Sequence, residues 1–140
     1  MREHKFETIE HTADVGVTGK GASLAEAFES AAYGMFSVMA DLNKYQPTGK
    51  TTVQASGADL VELLQSFLSE LIVLFESEQV LCLDFEIREF EDMHLVCEVS
   101  HRPVGDDIEW LGPSVKAVTY HEMAVEKSGG QWLAKVIFDV

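Results

Sequence analysis

The sequence predicts a single α+β domain, in which two principal helices pack on one side of a mainly antiparallel sheet. Two segments carry apolar residues at helical spacing, and several shorter segments alternate apolar and polar residues as strands do. These helical segments lie among strand patterns without the regular alternation of a parallel βαβ fold. With 140 residues and 46% hydrophobic composition, residues 1–140 are expected to form one packed domain.

Apolar stripes and a starting signal predict the two helices. Ser23 and Glu26 have the spacing of a capping box, and the apolar residues that follow predict a helix from about residue 24 to 40. A broader stripe predicts a second helix over about 59–77, which should form the centre of the core. That stripe consists of Leu60, Leu63, Leu64, Phe67, Leu68, Leu71, Leu74 and Phe75.

Turn signals between alternating segments predict two hairpins. The first covers roughly 81–101 and turns at Glu91-Asp92, while Val15 and Val17 belong to an earlier strand. Gly129-Gly130 predicts a second hairpin, which joins the segment 114–127 to the closing strand. Two of the three prolines lie within residues 101–113, and this segment is predicted to be a loop.

The register of the second hairpin predicts which charged residues share a face. If the two glycines form the turn, Asp139 lies opposite Tyr120, and Lys116 lies on the same face about 13 Å further along. A slip of one residue would move this set across the sheet. The alternative for Lys116 is an ordinary solvated strand lysine.

The charge balance excludes several classes of partner. The formal net charge is −14, from 24 acidic and 10 basic residues, so the phosphate backbone of a nucleic acid would be repelled and direct nucleic-acid binding is not expected. Residues 1–5 carry charge where a signal peptide needs an apolar stretch, and no run is long enough to span a membrane. We therefore expect a cytoplasmic protein without a membrane partner.

The two cysteines are expected to be free thiols in a reducing compartment. The first hairpin would set Cys82 opposite His101 and Cys97 opposite Glu86, so the cysteines would not face one another. There is no CxxC motif and no Cys/His cluster, which argues against thiol catalysis and against a zinc site.

Carboxylates near the two ends of the chain are the candidate site. If the strands that hold them are neighbours, Asp14, Asp139 and the terminal carboxylate of Val140 converge, and hard cations such as Ca²⁺ prefer such oxygen ligands. The alternative is that Asp14 closes a turn and Asp139 is solvated. His11 could form a metal or acid/base pair with Asp14, although no nucleophile lies nearby in the sequence.

Several segments together resemble the archease family over nearly the full chain. They are Phe6 with residues 11–16 (HTADVG), residues 23–28 (SLAEAF), residues 115–121 (VKAVTYH) and residues 132–140. Residues 107–110 (DIEW), in the loop 103–112, depart from the family pattern. Archeases are small acidic proteins that serve as cofactors of RtcB-type RNA ligases in tRNA splicing and RNA repair.

The resemblance implies a function and a set of site residues. It implies a non-enzymatic activator that promotes guanylylation of the ligase and multiple turnover. It also implies a site for calcium, or another divalent cation, at Asp14, Asp139 and the backbone of Val140. Lys116 falls where a basic residue supports activation, and His11 and Tyr120 are candidates to support the metal ligands.

Two other functions remain open from the residues alone. One is a metal-dependent hydrolase, with Asp14 and Asp139 as ligands and His11 as general base. The other is a general chaperone or assembly adaptor.

Overall fold

Within the residues that the structure describes, seven strands form two antiparallel sheets, and two helices contact both of them. The structure is a computed structural model that describes residues 4–10 and 14–140. In chain order the elements are β1 (Lys5–Glu10), β2 (Asp14–Gly21), α1 (Leu24–Met39), a 3₁₀ turn (Leu42–Lys44), β3 (Gly49–Ser56), α2 (Leu60–Glu78), β4 (Val80–Glu91), β5 (His94–Pro103), β6 (Ala117–Ser128) and β7 (Gln131–Asp139). The predicted single-domain α+β class is confirmed.

The strands divide between two sheets, which the sequence patterns did not reveal. The first sheet has the order β1-β2-β7-β6, and the second has the order β3-β5-β4. Strands β1 and β3 were not predicted, because most of their residues are polar and β3 buries only Val53 and Ala55. β7 lies inside the first sheet, where it pairs with both β2 and β6.

Both helices begin as their sequences predict and fill the core. At the start of α1, Ser23 Oγ accepts from the backbone N–H of Glu26, and the Glu26 carboxylate accepts from the N–H of Ala22 at 2.8 Å. α1 contacts β1, β2 and β7 of the first sheet and β4 of the second, whereas α2 contacts β3, β4 and β6. Phenylalanines with no exposed surface lie at the centre: Phe28, Phe36, Phe67, Phe85 and Phe138. Within the described residues, neither helix is both long enough and apolar enough to cross a membrane.

The two hairpins confirm the predicted pairs of strands, with one corrected turn. Gly129 and Gly130 form the second turn with φ of 57° and 81°, a conformation that favours glycine, and Ser128 pairs with Gln131. The first turn is formed by Asp92 and Met93, one residue later than predicted.

Irregular pairing within the first hairpin changes the partner of one cysteine. Cys82 lies opposite His101 as predicted. Cys97 lies opposite Ile87 instead of Glu86, because the ladder shifts twice between Cys82 and Glu89.

Close packing of α1 on β2 depends on a glycine. A Cβ built on Gly19 would lie 2.4 Å from the backbone N of Ala31 and 2.5 Å from the carbonyl oxygen of Ala27. Both atoms belong to the helix backbone, so a small rotation of a side chain cannot relieve the clash. The lack of a side chain at Gly19 therefore allows α1 to approach the first sheet this closely.

We predict that Gly19→Ala lowers the free energy of unfolding by about 3 kcal/mol, because α1 must move away from β2 to admit the methyl group. Urea unfolding followed by circular dichroism measures this change. Gly112→Ala is the control, since its nearest contact would be the Val38 carbonyl at 3.9 Å and its stability should change by less than about 0.5 kcal/mol. Equal stability of the two variants would contradict this account of the packing.

Candidate functional site

Asp14 and Asp139 are direct partners in the first sheet. Asp14 is the first residue of β2, Asp139 is the last residue of β7, and these antiparallel strands pair the two residues. Directly opposed residues point their side chains to the same face, with their Cβ atoms about 5 Å apart. β2 and β7 are therefore neighbours, which is the condition under which the two carboxylates were predicted to converge.

Both carboxylates lie where solvent can reach them. Asp139 is exposed and Asp14 is partly buried. In the part of the chain that the structure describes, neither side chain forms an ion pair with a lysine, arginine or histidine. Like charges directly opposite one another destabilise a sheet, so this arrangement favours a cation between them.

The predicted partner of Asp139 on β6 is wrong. Asp139 lies opposite Ala117 instead of Tyr120, because four residues of β6, 120 to 123, face the single residue Val136 of β7. This bulge adds three residues to β6 and moves the predicted set of side chains across the sheet. Tyr120 is directed elsewhere, and its hydroxyl donates to the Gln65 Oε1 of α2 at 3.3 Å.

The bulge brings the backbone of Lys116 next to Asp139. The N–H of Lys116 donates to the carbonyl oxygen of Asp139 at 2.8 Å, which is much closer than the predicted register allowed. The Lys116 side chain is exposed, and among the described residues it has no carboxylate partner. The backbone of Lys116 therefore lies beside Asp139, and its exposed side chain carries a charge that no described carboxylate pairs with.

His11 and Val140 are the other two residues predicted to lie at or near the site. His11, with residues 12 and 13, lies outside the described residues. Val140 follows Asp139 directly and packs partly buried against the core, so its backbone oxygens are close in sequence to the Asp139 carboxylate.

The available donor atoms suit a hard cation. Asp14, Asp139 and the backbone of Val140 offer only oxygen, which is the preference of Ca²⁺, whereas zinc favours nitrogen and sulfur. The described residues contain no group of three or more His, Cys, Asp or Glu side chains placed to hold a metal. A cation here would complete its six to eight ligands with water or with oxygens of a partner.

The cysteines do not contribute chemistry near this site. Cys82 and Cys97 are both buried. Burial raises the pKa of the Cys82 thiol far above its usual range, and the neighbouring Cys97 adds to this effect. The nucleophilic thiolate of Cys82 is therefore scarcely populated at neutral pH.

One structural residue near the start of the chain was missed by sequence reasoning. His4 Nε2 lies 3.0 Å from Asp84 Oδ1, and the His4 side chain is only 4% exposed. Its ring lies 4.8 Å from the ring of Tyr33 in α1. This contact ties the start of β1 to β4 of the second sheet, and a single histidine among charged residues gives no periodic signal that would reveal it.

Comparison with known proteins identifies close relatives over the whole length. Residues 6–140 match the Archease protein family (MTH1598/TM1083). The protein archease of Thermococcus gammatolerans is 40% identical over 141 residues, which cover 97% of this chain and 99% of that protein.

Two solved structures share the fold. Protein 1598 of Methanobacterium thermoautotrophicum is 32% identical, with a TM-score of 0.85 over 96% of this chain and 98% of that one. An archease of Thermotoga maritima, described as a possible chaperone, is 22% identical, with a TM-score of 0.63 over 99% of this chain and 100% of that one.

We predict that Asp139→Asn raises the free energy of unfolding by about 0.2 to 1 kcal/mol in buffer with a chelator, because it removes one of two like charges that face each other. Urea unfolding in the presence of EDTA measures the change. Glu89→Gln is the charge-matched control, since Glu89 lies opposite Val96 and should show no such gain. Equal effects of the two substitutions would show that only the net charge matters.

Proposed function

This chain belongs to the archease family, and on that premise we propose that it is a non-enzymatic activator of an RtcB-type RNA ligase in tRNA splicing and RNA repair. In this role it promotes guanylylation of the ligase and allows many turnovers. The observation that carries the proposal is the pairing of Asp14 with Asp139, together with the hydrogen bond from the Lys116 backbone to Asp139. In this proposal the three residues act on the bound ligase.

A calcium ion, or another divalent cation, is proposed to bind Asp14, Asp139 and the backbone oxygens of Val140. Two opposed carboxylates support this choice, because a bound cation removes their mutual repulsion. The ion would supply positive charge and link the start of β2 to the end of β7. Asp14 and Asp139 would thereby hold these two strand ends in one arrangement, together with the backbone of Lys116, which is hydrogen-bonded to Asp139.

Lys116 is proposed to contact the partner. Its backbone is fixed by the hydrogen bond to Asp139, while its side chain is exposed and has no carboxylate partner among the described residues. A lysine held in this way can bind a phosphate of the guanylate donor or a carboxylate of the ligase. A single well-placed cation can change the rate of phosphoryl or nucleotidyl transfer by orders of magnitude.

The overall charge supports a partner that itself binds nucleotides and RNA. A net charge of −14 repels RNA but complements the basic cleft of a ligase, and such complementarity raises the rate of association. We also propose that the protein acts in the cytoplasm, where such a ligase meets its substrates.

A chaperone or assembly role is the second candidate. The observation that favours it is the description of the Thermotoga maritima archease as a possible chaperone. Both roles require a protein partner, and they differ in whether the partner's chemistry is accelerated. Multiple-turnover RNA ligation by the cognate ligase, with and without this protein, separates them, because a chaperone would not stimulate a ligase that is already folded.

We predict that 1 mM CaCl₂ raises the melting temperature of the wild-type protein and leaves that of Asp14→Asn unchanged, because the substitution removes a charged ligand. Differential scanning fluorimetry across a calcium titration, with magnesium as a comparison, measures the shift. Glu89→Gln should respond as the wild type does. A full calcium response in Asp14→Asn would remove this residue from the site.

We predict that Lys116→Ala lowers the rate of ligase guanylylation at saturating protein by tenfold or more, while thermal stability changes by less than about 0.5 kcal/mol because the side chain is exposed. Lys5→Ala is the matched control, since Lys5 is an exposed lysine at the opposite end of the same sheet. Partial activity of Lys116→Arg is expected if positive charge suffices. Wild-type rates in Lys116→Ala would make this residue an ordinary solvated lysine.

A further inference from the structure

The loop between β5 and β6 presents two large apolar side chains to solvent. Trp110 is 42% exposed and Leu111 is 64% exposed. They are adjacent in the chain, and Trp110 ends the stretch 107–110 that departs from the family's sequence pattern. The Trp110 ring meets the ring of Phe75 in α2 edge-on, with centroids 6.1 Å apart. Tryptophan is enriched among the residues that contribute most to protein–protein binding, and exposed apolar surface marks interaction sites when it is contiguous.

The backbone of this loop is held in place, so the two side chains are presented by a fixed support. The N–H of Leu111 donates to the carbonyl oxygen of Met39, at the end of α1, at 2.8 Å. The N–H of Glu109 donates to the Tyr45 hydroxyl at 2.8 Å. Trp110 pairs with Ala40 in an isolated antiparallel bridge. Anchors that are already ordered lose little entropy when a partner binds.

A groove lies beside Leu111. Its volume is about 320 Å³, and Leu111 forms part of its wall. The other lining residues are Phe6, Tyr33, Ser37, Ala40, Asp41, Leu42, Asn43 and Lys44. The groove is therefore large enough to receive an apolar side chain of a partner, and Leu111 is exposed in its wall. We call Trp110, Leu111 and this groove the Leu111 surface.

Charged groups around the Leu111 surface are mainly acidic. Four carboxylates lie in the loop or the groove wall, against the two cations Lys44 and Arg102, and both of these are already paired, with Glu109 and Asp107. The carboxylates are Asp41, Asp106, Asp107 and Glu109. Together with the net charge of −14, this balance favours a basic partner.

The Leu111 surface lies near the proposed site of action. The loop that carries Leu111 runs directly to Lys116, whose N–H donates to Asp139. Five residues of chain span at most about 17 Å. One interface of standard size, burying about 800 Å² on each partner, can therefore cover both places.

We propose that the Leu111 surface is the docking surface for a basic, nucleotide-binding protein, and that this protein is the RNA ligase of the proposed function, on which the inference rests. Leu111 and Trp110 supply binding energy through burial of apolar surface. Lys116 and the opposed carboxylates then act on the bound ligase. In this proposal docking and activation are carried by different residues of the same segment, 110–116.

The test is a titration of the protein into multiple-turnover ligation by the cognate ligase, in which the half-maximal concentration and the maximal rate are read separately. Leu111→Ser should raise the half-maximal concentration tenfold or more and leave the maximal rate unchanged. Val73→Ser is the matched control, because Val73 is a 57% exposed apolar residue of α2 outside the groove. Melting curves of both variants should match the wild type, since both side chains are largely exposed.

Each other outcome overturns at least one of the two proposals. If the wild type stimulates and Leu111→Ser titrates like Val73→Ser, the docking surface is wrong and the proposed function stands. If the wild type itself does not stimulate a verified cognate ligase, the proposed function fails, and the docking inference fails with it. If sedimentation shows a wild-type dimer that Leu111→Ser dissociates, a second copy of this chain occupies the surface instead.

Discussion

The pairing of β7 with β2 is the constraint on which the rest of the structure depends. β7 lies between β2 and β6. Without β7, the first sheet would separate into the two-stranded ribbon of β1 and β2 and the single strand β6. The same pairing packs Val136 and Phe138 against the core. The end pair of this ladder is Asp14 and Asp139. The strand contact that completes the sheet therefore also sets two carboxylates opposite one another, and a cation can relieve their repulsion.

The regular parts of the fold could be predicted because each has a strong local signal. The apolar stripe of α2 and the capping box at Ser23 fixed both helices to within one or two residues. Gly129-Gly130 located the second turn, because only glycine readily adopts both backbone conformations. β1 and β3 could not be predicted, since most residues of β1 are polar and β3 buries only Val53 and Ala55, too few to show clear alternation.

The candidate site shows a different limit of sequence reasoning. The convergence of Asp14 with Asp139 required only that two strands be neighbours, and the structure contains that pairing. The partner of Asp139 on β6 required an exact register across a bulge, and bulges leave no mark on apolar periodicity. The observed register placed the backbone of Lys116 beside Asp139, while Ala117 became the residue directly opposite Asp139. The roles of these residues in metal binding and activation remain proposals.

The central position of β7 has a consequence for how the chain folds as it is synthesised. β2 is made well before β7, its partner on one side, because both helices and the four strands β3 to β6 separate them in the chain. The helices and the second sheet can associate beforehand. The edge of β2 that pairs with β7 stays without its partner until residues 131–139 have been made. Long-range pairing of this kind is slow and leaves a strand edge open until it is completed. A nascent chain therefore lacks the Asp14–Asp139 pair until β7 has been made, and a chain interrupted before β7 lacks the proposed cation site.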